Sequence, residues 1–373
     1  MQADYEVWLL HPATGVQMAI LDHQEGLEYA KRVNAVGSFT LMAPEGFDTS
    51  MAHKDARIVV WRQPQGGKKA IDFAGLVRHW IPQYTNGRYS LMLAGPCYND
   101  ILQTRIIPYM AGTSYALKYM AGDNLQKALV RENLGASATD AARNIVTPGY
   151  LTVQANVGLG TLVWKQCTRR ELLTTLQEVS DSSMETPATA SFFGVVPTGG
   201  GFGMEFRTNI EQWGQDHRHP NGAHGARIFA VERGNMVDPK LETDARDEVN
   251  YVYVRGPGEE SNCIMLPIYD TSRIGESPLN RRETLLDQRG EDMVSGLGNA
   301  GRSRLQEGRA RQRFNFSIVE TPSSRYGVDW GFGDYVTGSF LGEQYDLQVS
   351  MVSVSLRGQR EEIRTELEYV GLA

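Results

Sequence analysis

The stretch Asp55–Gly95, DARIVVWRQPQGGKKAIDFAGLVRHWIPQYTNGRYSLMLAG, decides the fold. It contains three apolar runs, which cover Ala56–Trp61, Ile71–Trp80 and Tyr89–Ala94. Glycines follow the first run, and the last is preceded by Asn86-Gly87, a preferred pair for a type I′ hairpin turn. Short β-prone runs joined by such turns predict three antiparallel strands, a β-meander.

The faces of these strands differ in composition. The middle run alternates, so we expect Ile71 and Phe73 to share one face. The first run is apolar on both sides, and Val59 and Trp61 form its outer side. A strand covered on both faces is typical of a barrel wall that packs against something else. We therefore expect Val59, Trp61 and Trp80 to face a neighbour.

Composition limits the class of protein. A chain of 373 residues predicts two or three domains. The net charge of −7 argues against a nucleic-acid binder that neutralises phosphates. The three cysteines fit no CxxC spacing and predict free thiols of a protein made in a reducing compartment. No secretory leader or membrane-spanning run is recognised, so synthesis in the cytoplasm without membrane insertion is expected.

The chain divides into three segments by pattern. Residues 1–105 carry short strands with frequent turns and are predicted to form a first β-barrel domain. Residues 106–208 are predicted to be an α+β insertion. A helix at Asn124–Asn133 is capped by Asp123, a second begins with the capping box at Thr168, and a hairpin follows.

Strands resume in residues 209–373, which are predicted to form a second β-barrel domain. A polar segment, Pro278–Ala310, predicts two glycine-separated helices, so that a helical insertion covers about residues 277–311. The expected fold class is mainly β: two β-barrel-like domains with an α+β insertion and helical insertions.

No constellation predicts chemistry strongly. His217, His219 and His224 could ligate a metal, but the neighbouring arginine favours an exposed polar loop. A cell-wall hydrolase would need two carboxylates across a cleft, and no such pair is recognisable among the 44 acidic residues. We therefore predict no catalytic residue, no metal site and no cofactor.

One marked basic stretch lies near the helical insertion. Its arginines are interleaved with acidic residues, which favours a salt-bridged helix at an interface over a nucleic-acid patch. A plain solvated helix is the alternative. The residues assigned to the candidate interface from this stretch are Arg281, Arg282, Arg302, Arg304 and Arg309.

Several stretches, in this order, resemble the tail-tip (baseplate) hub proteins of tailed bacteriophages of the siphophage type. Near the N-terminus they are Val36–Leu41, Asp55–Arg62 and Phe73–Val77. Further matches are Arg105–Tyr109, Ala121–Gly135, and Tyr326–Trp330 with Gly333–Thr337. The motifs touch both ends of the chain, and residues 136–225 show none.

The resemblance implies a structural protein of the virion tail tip. Such hubs form homotrimers with two barrels per subunit, so that six barrels match a six-fold tail tube to a three-fold spike or fibre. The implied partners are a distal tail or tail tube protein, a tape measure protein and a central spike or fibre protein. DNA would pass through the ring without specific binding.

Two other function classes remain open at this stage. A tail-associated enzyme that degrades the cell wall would clear peptidoglycan in a zymogram. A carbohydrate-binding receptor protein would cluster exposed aromatic side chains in one region and bind a glycan array.

Overall fold

The computed structural model describes residues 3–21, 26–44, 46–85, 87–108, 117–146, 149–167, 169–183, 187–220, 222–291, 293–358 and 360–369. The predicted turn residue Asn86, the capping residue Thr168 and Tyr109 lie outside these residues. Within them the chain is mainly β with five α-helices, which confirms the predicted fold class.

The described residues of the first segment form eight strands: β1 Asp4–Leu10, β2 Gln17–Ile20, β3 Gly26–Arg32, β4 Ser38–Met42, β5 Arg57–Gln63, β6 Ala70–Leu76, β7 His79–Thr85 and β8 Arg88–Pro96. Helix α1, Asp100–Gln103, closes the first segment. The insertion contains β9 Leu117–Ala121, α2 Gly122–Leu134, β10 Thr152–Val153, β11 Leu162–Gln166, α3 Leu172–Ser183, β12 Ser191–Thr198 and β13 Gly203–Ile210, which ends two residues past the predicted limit.

The third segment contains β14 Ile228–Ala230, β15 Met236–Asp244, β16 Tyr251–Arg255, β17 Met265–Tyr269, α4 Thr271–Gly275, β18 Glu283–Asp287, α5 Val294–Glu307, β19 Arg311–Ile318, β20 Tyr335–Phe340, β21 Glu343–Arg357 and β22 Arg360–Tyr369.

A ten-stranded sheet joins the first and third segments. Its order is β15-β19-β22-β21-β3-β4-β8-β7, with β20 on β21 and β14 on β20. The link is the antiparallel pairing of β3 with β21, in which Arg32 lies opposite Met351. The other N-terminal strands form a four-stranded sheet, β2-β1-β5-β6.

The predicted meander is wrong in one respect. Its middle strand is two strands, because β6 pairs with β5 in the four-stranded sheet and β7 pairs with β8 in the large sheet. The chain turns between sheets at Val77 and Arg78. The sheets approach closely here: Gly75 bridges to Cys97, and a Cβ on Gly95 would overlap the carbonyl oxygen of Leu76.

The predicted helical pair at Pro278–Ala310 is also corrected. Its first part forms β18, which pairs in parallel with β16, and only the second part is helical. Helix α5 packs closely on the small sheet β17-β16-β18 at Gly301. A Cβ on Gly301 would meet Ile268 and Val254. Helix α2 confirms the predicted helix, but its N-cap is Ala121 rather than Asp123.

Among the described residues, three hydrophobic cores hold these elements together. The first is shared by the first and third segments and includes Leu27, Phe39, Phe314 and Val352. The second lies between the insertion and the outer faces of β5 and β6. The third lies between α5 and the small sheet. The domain limits 1–105, 106–208 and 209–373 stay a prediction.

Candidate interaction surfaces and the buried polar network

Val59 does not reach a neighbouring molecule. Its side chain is fully buried in the second core, together with Leu129, Leu176 and Phe206 of the insertion. The outer face of β5 is therefore covered by the chain's own insertion. This corrects the expectation for Val59 and explains why the strand is apolar on both faces.

Trp61 and Trp80 lie in different settings. Trp61 packs against the second core, with its ring centroid 5.0 Å from that of Trp8. Trp80 lies on β7, an edge strand of the large sheet, and is 39% exposed. Of the three predicted outward residues, Trp80 has the greatest solvent access, and its role at an interface stays a prediction.

Trp80 belongs to a group of exposed aromatic side chains at one edge of the large sheet. Trp80 lies opposite Leu93 in the β7–β8 pairing, and Tyr84 lies opposite Tyr89. Leu93 is in the first core, so the face that is buried at β8 continues into solvent at β7. Tyr84 and Tyr89 are 63% and 74% exposed, and their rings lie 4.6 Å apart. We call Trp80, Tyr84 and Tyr89 the aromatic edge. Exposed apolar edge strands are typical contact sites.

A second group of aromatic side chains lies on the small sheet, on the face opposite α5, where Tyr269 is exposed and Tyr251 and Tyr253 are half-buried. Tyr251 and Tyr269 stack with centroids 5.1 Å apart, and Tyr253 lies 4.9 Å from Tyr251. The guanidinium carbon of Arg281 lies 4.1 Å from the Tyr251 ring centroid. Leu285, on the same face, is 60% exposed. We call this group the tyrosine face. The sequence concealed it because its residues come from three strands.

The predicted interface arginines do not form one patch. Arg281 and Arg282 lie beside the small sheet, where the Arg282 amide donates to the side chain of Asn250. Arg302 and Arg304 lie on α5, and Arg309 follows that helix at the wall of a cleft. Their role at an interface stays a prediction.

A buried polar network lies between the first and third segments. Pairing of β5 with β6 shifts between Val60 and Trp61, which makes Asp72 a bulge residue. The bulge breaks the predicted alternation. The side chain of Ile71 packs against the second core, whereas the side chain of Phe73 packs in the first core. Sequence pattern cannot reveal such a shift.

The Asp72 carboxylate binds three side chains. It accepts hydrogen bonds from Tyr29 (2.5 Å) and Tyr326 (2.7 Å) and pairs with the Lys31 ammonium at 2.5 Å. Burial alone would raise the pKa of Asp72, but Lys31 and the two tyrosine hydroxyls lower it below its ordinary value. Burial raises the pKa of both tyrosines, so they remain donors at neutral pH. The ionised carboxylate therefore has hydrogen-bond and ion-pair partners from both segments, and it links the first segment to the third.

Arg62 makes a parallel tie. It pairs with Glu361 of β22 at 2.8 Å and donates to the carbonyl oxygen of Tyr326 at 2.7 Å. Tyr5 also donates to Glu361. Because Arg62 is only 4% exposed, this guanidinium fixes β5 against the C-terminal strands.

The histidine loop is less exposed than predicted. His217 is 5% exposed, and its Nδ1 lies 2.9 Å from the carbonyl oxygen of Gly225. Its Nε2 lies 3.6 Å from Asp334, whose pKa burial raises. His219 and His224 remain exposed. Among the described residues, no group of three or more histidine, cysteine or acidic side chains could hold a metal.

Within the described part of the chain, no helix has the length and apolar character needed to cross a bilayer.

The sequence matches no family model and no curated protein. Solved structures with the same fold include tail proteins. The 43 kDa tail protein of prophage MuSo2 from Shewanella oneidensis has a TM-score of 0.60 and 12% identity, over 98% of both chains. A tail protein from Neisseria meningitidis MC58 has a TM-score of 0.57 and 12% identity, over 100% of this chain and 98% of its own.

Prophage tail protein gp18 from Listeria monocytogenes EGD-e has a TM-score of 0.53 and 13% identity, over 97% of this chain and 94% of its own. These likenesses extend from one end of the chain to the other. The chain therefore has the fold of phage tail proteins, as its resemblance to tail-tip proteins predicted.

Proposed function

We propose that the chain is a structural subunit of a bacteriophage tail tip. It assembles as a homotrimeric hub ring that joins the six-fold tail tube to a three-fold spike or fibre and surrounds the DNA exit channel. Its neighbours are the distal tail or tail tube protein, the tape measure protein and the central spike or fibre protein. Its role is assembly and symmetry matching, without catalysis.

One observation carries the proposal. The likeness to the MuSo2 tail protein covers 98% of each chain, so the shared architecture includes the insertion and the small sheet as well as the large sheet. The net charge of −7 suits a channel wall that must release DNA.

The large sheet supplies surfaces suited to a ring. Its strand order ends at β15 on one side and at β7 on the other. When one surface of a copy binds a different surface of the next copy, each copy still has one of the two surfaces unoccupied and can bind a further copy. Such head-to-tail contacts close into a ring when the rotation between copies allows it. We assign the aromatic edge, Trp80, Tyr84 and Tyr89, to this contact because tyrosine and tryptophan dominate interface energies.

The oligomeric state tests the proposal. Mass photometry of purified protein should give three times the 41.5 kDa of one chain, and negative-stain images should show rings. In the double variant Trp80→Ala/Tyr84→Ala, the protein concentration at which half of the trimer dissociates should rise at least tenfold. The free energy of unfolding of the monomer should not fall. Leu279→Ala is the matched control, because Leu279 is 92% exposed and lies outside the aromatic edge. A strictly monomeric wild type at every concentration would refute the ring.

A second candidate function is carbohydrate binding, and the tyrosine face favours it. Tyrosines next to arginine and acidic side chains can contact the apolar and hydroxyl parts of a sugar. A glycan array with wild type and Tyr253→Ala tests it. Loss of a specific glycan signal in the variant would support binding, and an array without signal would remove this candidate.

A further inference from the structure

The small sheet β17-β16-β18 ends at β18, which pairs in parallel with β16 on one side. The amide of Tyr251 donates to the carbonyl oxygen of Arg282, and the amide of Gln288 donates to the carbonyl oxygen of Arg255. Alternate residues of a strand direct their backbone groups to the same side. The even-numbered residues from 282 to 288 therefore bond to β16.

The odd-numbered residues of β18 direct their backbone groups away from the sheet. These residues are Glu283, Leu285 and Asp287. Within the described part of the chain, their amides and carbonyl oxygens have no hydrogen-bond partner. A row of unpaired backbone donors and acceptors is a template for a further strand. The backbone of β18 is therefore open to pairing.

The opposite edge of the same sheet is blocked. On β17, the carbonyl oxygen of Ile264 accepts from the Gly256 amide, and the Asp270 amide donates to the carbonyl oxygen of Asn250. The even-numbered residues of β17 thus face β16, and Pro267 lies at the centre of the outward-facing set. Proline has no amide hydrogen to donate, which interrupts pairing at an edge. Strand β18 contains no proline, so the two edges of the sheet differ.

The side chains of β18 also end an apolar row at the open edge. Pro267, Tyr253 and Leu285 lie opposite one another across the face that is turned away from α5, and Leu285 is 60% exposed. On the other face, Leu286 packs at the rim of the third core and is only half-buried. A fourth strand with an apolar side chain beside Leu285 would continue this row and remove the leucine from water.

Charge limits the kind of strand that fits. Glu283 and Asp287 flank the exposed leucine, so a new strand would meet an acidic, an apolar and an acidic side chain in turn. The two carboxylates pair with Arg281 and Arg289, and Asp287 also lies 3.8 Å from Arg255. Because the carboxylates are 45% and 42% exposed, these surface pairs are weak and leave room for a second cation. Acidic side chains on a new strand would be repelled.

We propose that the open edge of β18 binds an extended segment of a partner protein as a fourth strand of the small sheet. The backbone of the segment pairs with Glu283, Leu285 and Asp287, which is the β-augmentation mode of peptide recognition. An apolar side chain of the segment covers Leu285, and lysine or arginine side chains lie two positions before and after it. The contact is separate from the aromatic edge on the large sheet and does not depend on the ring.

The probe is a fluorescein-labelled Thr-Lys-Thr-Val-Thr-Lys-Thr peptide, and its binding is measured by fluorescence anisotropy. Leu285→Pro removes an outward amide hydrogen and leaves the hydrogen bonds to β16 in place, as Pro267 does on the other edge. Leu285→Ala is the matched control, because it loses the same side chain and keeps the amide. We expect the proline variant to bind at least tenfold more weakly than the alanine variant. Circular dichroism and urea unfolding check that both variants fold.

Peptide variants test the same pairing on the unaltered protein. One peptide is N-methylated at the valine and both lysines, and a second is N-methylated at the threonines. Because alternate amides of a strand face opposite edges, one of the two should lose at least tenfold in affinity and the other should keep its affinity. A Thr-Glu-Thr-Val-Thr-Glu-Thr peptide should bind at least threefold more weakly than the lysine peptide. Absence of binding by the wild type, equal affinities of Leu285→Pro and Leu285→Ala, unchanged binding of both methylated peptides, or tighter binding of the acidic peptide would overturn the proposal.

Discussion

Replacing Asp72 by asparagine should destabilise the fold strongly. Asparagine keeps the shape and an acceptor for Tyr29 or Tyr326, but it removes the charge that Lys31 pairs with at 2.5 Å. Lys31 is then left with only 16% of its side chain exposed. Breaking a buried ion pair by removing one partner costs about 3–5 kcal/mol. Because neither partner is completely buried, we expect about 3 kcal/mol at pH 7.

The assay is urea unfolding followed by tryptophan fluorescence and by circular dichroism. Coincident curves establish a two-state transition before free energies are compared. Glu6→Gln is the matched control. It makes the same change in the Glu6–Lys69 pair, which is more exposed, and should cost less than about 1 kcal/mol.

The cost should also depend on pH. The folded-state pKa of Asp72 is lowered, so its contribution to stability is complete above the ordinary carboxyl pKa and is lost as pH falls through the folded-state value. The wild type and Asp72→Asn should therefore converge at acidic pH. Adding Lys31→Met to Asp72→Asn should recover part of the loss, because no buried charge remains unpaired. A cost equal to that of Glu6→Gln, or one independent of pH, would refute the assignment of this network as a tie.

Three further predictions concern packing and charge. Gly95→Ala should lower the free energy of unfolding in urea by about 1–3 kcal/mol, because the added Cβ would overlap the Leu76 carbonyl oxygen. A variant as stable as the wild type would contradict the close approach of the sheets. Val59→Ala should lower the free energy of unfolding by about 1–2 kcal/mol and leave the mass of the oligomer unchanged, because the contacts of Val59 lie within the chain. A changed oligomer mass with an unchanged free energy of unfolding would show instead that Val59 contacts another subunit. Burial raises the pKa of Asp181 to about 7, so its favourable contribution is lost as pH rises through that value. Asp181→Asn should therefore unfold at higher urea than the wild type at pH 8 but not at pH 4, and no difference at pH 8 would contradict it.

The sequence predicted the parts of the fold that depend on local signals. The hairpin β12–β13 was recognisable because glycines at its turn separate two apolar runs, and helix α2 because its leucines recur at helical spacing. The bulge at Asp72 could not be predicted, since a register shift depends on the partner strand and leaves no mark in the alternation. The pairing of β3 with β21 has no local signal either, because the two strands are far apart in sequence.

The helix predicted for the segment that forms β18 was wrong, because pairing with another strand determines the conformation of this segment. The residues of β18 are polar with two adjacent leucines, and their strand conformation comes from pairing with β16. The candidate surfaces follow the same rule. The apolar character of Val59 was read correctly, but its partner proved to be the insertion. Trp80 was identified from its strand, whereas Tyr251 and Tyr269 become neighbours only after folding.

The pairing of β3 with β21 also sets an order of events during synthesis. Glu28 of β3 bonds to Arg357 of β21, 329 positions later in the chain. As the ribosome releases the N-terminal strands, Leu27 and Tyr29 therefore remain without their final neighbours until translation has passed β21. A nascent chain interrupted earlier keeps an open strand edge and exposed core side chains, which proteases and chaperones recognise. Translation through β21 and β22 is needed to complete the large sheet, so we expect chains that stop earlier to be degraded rather than to fold.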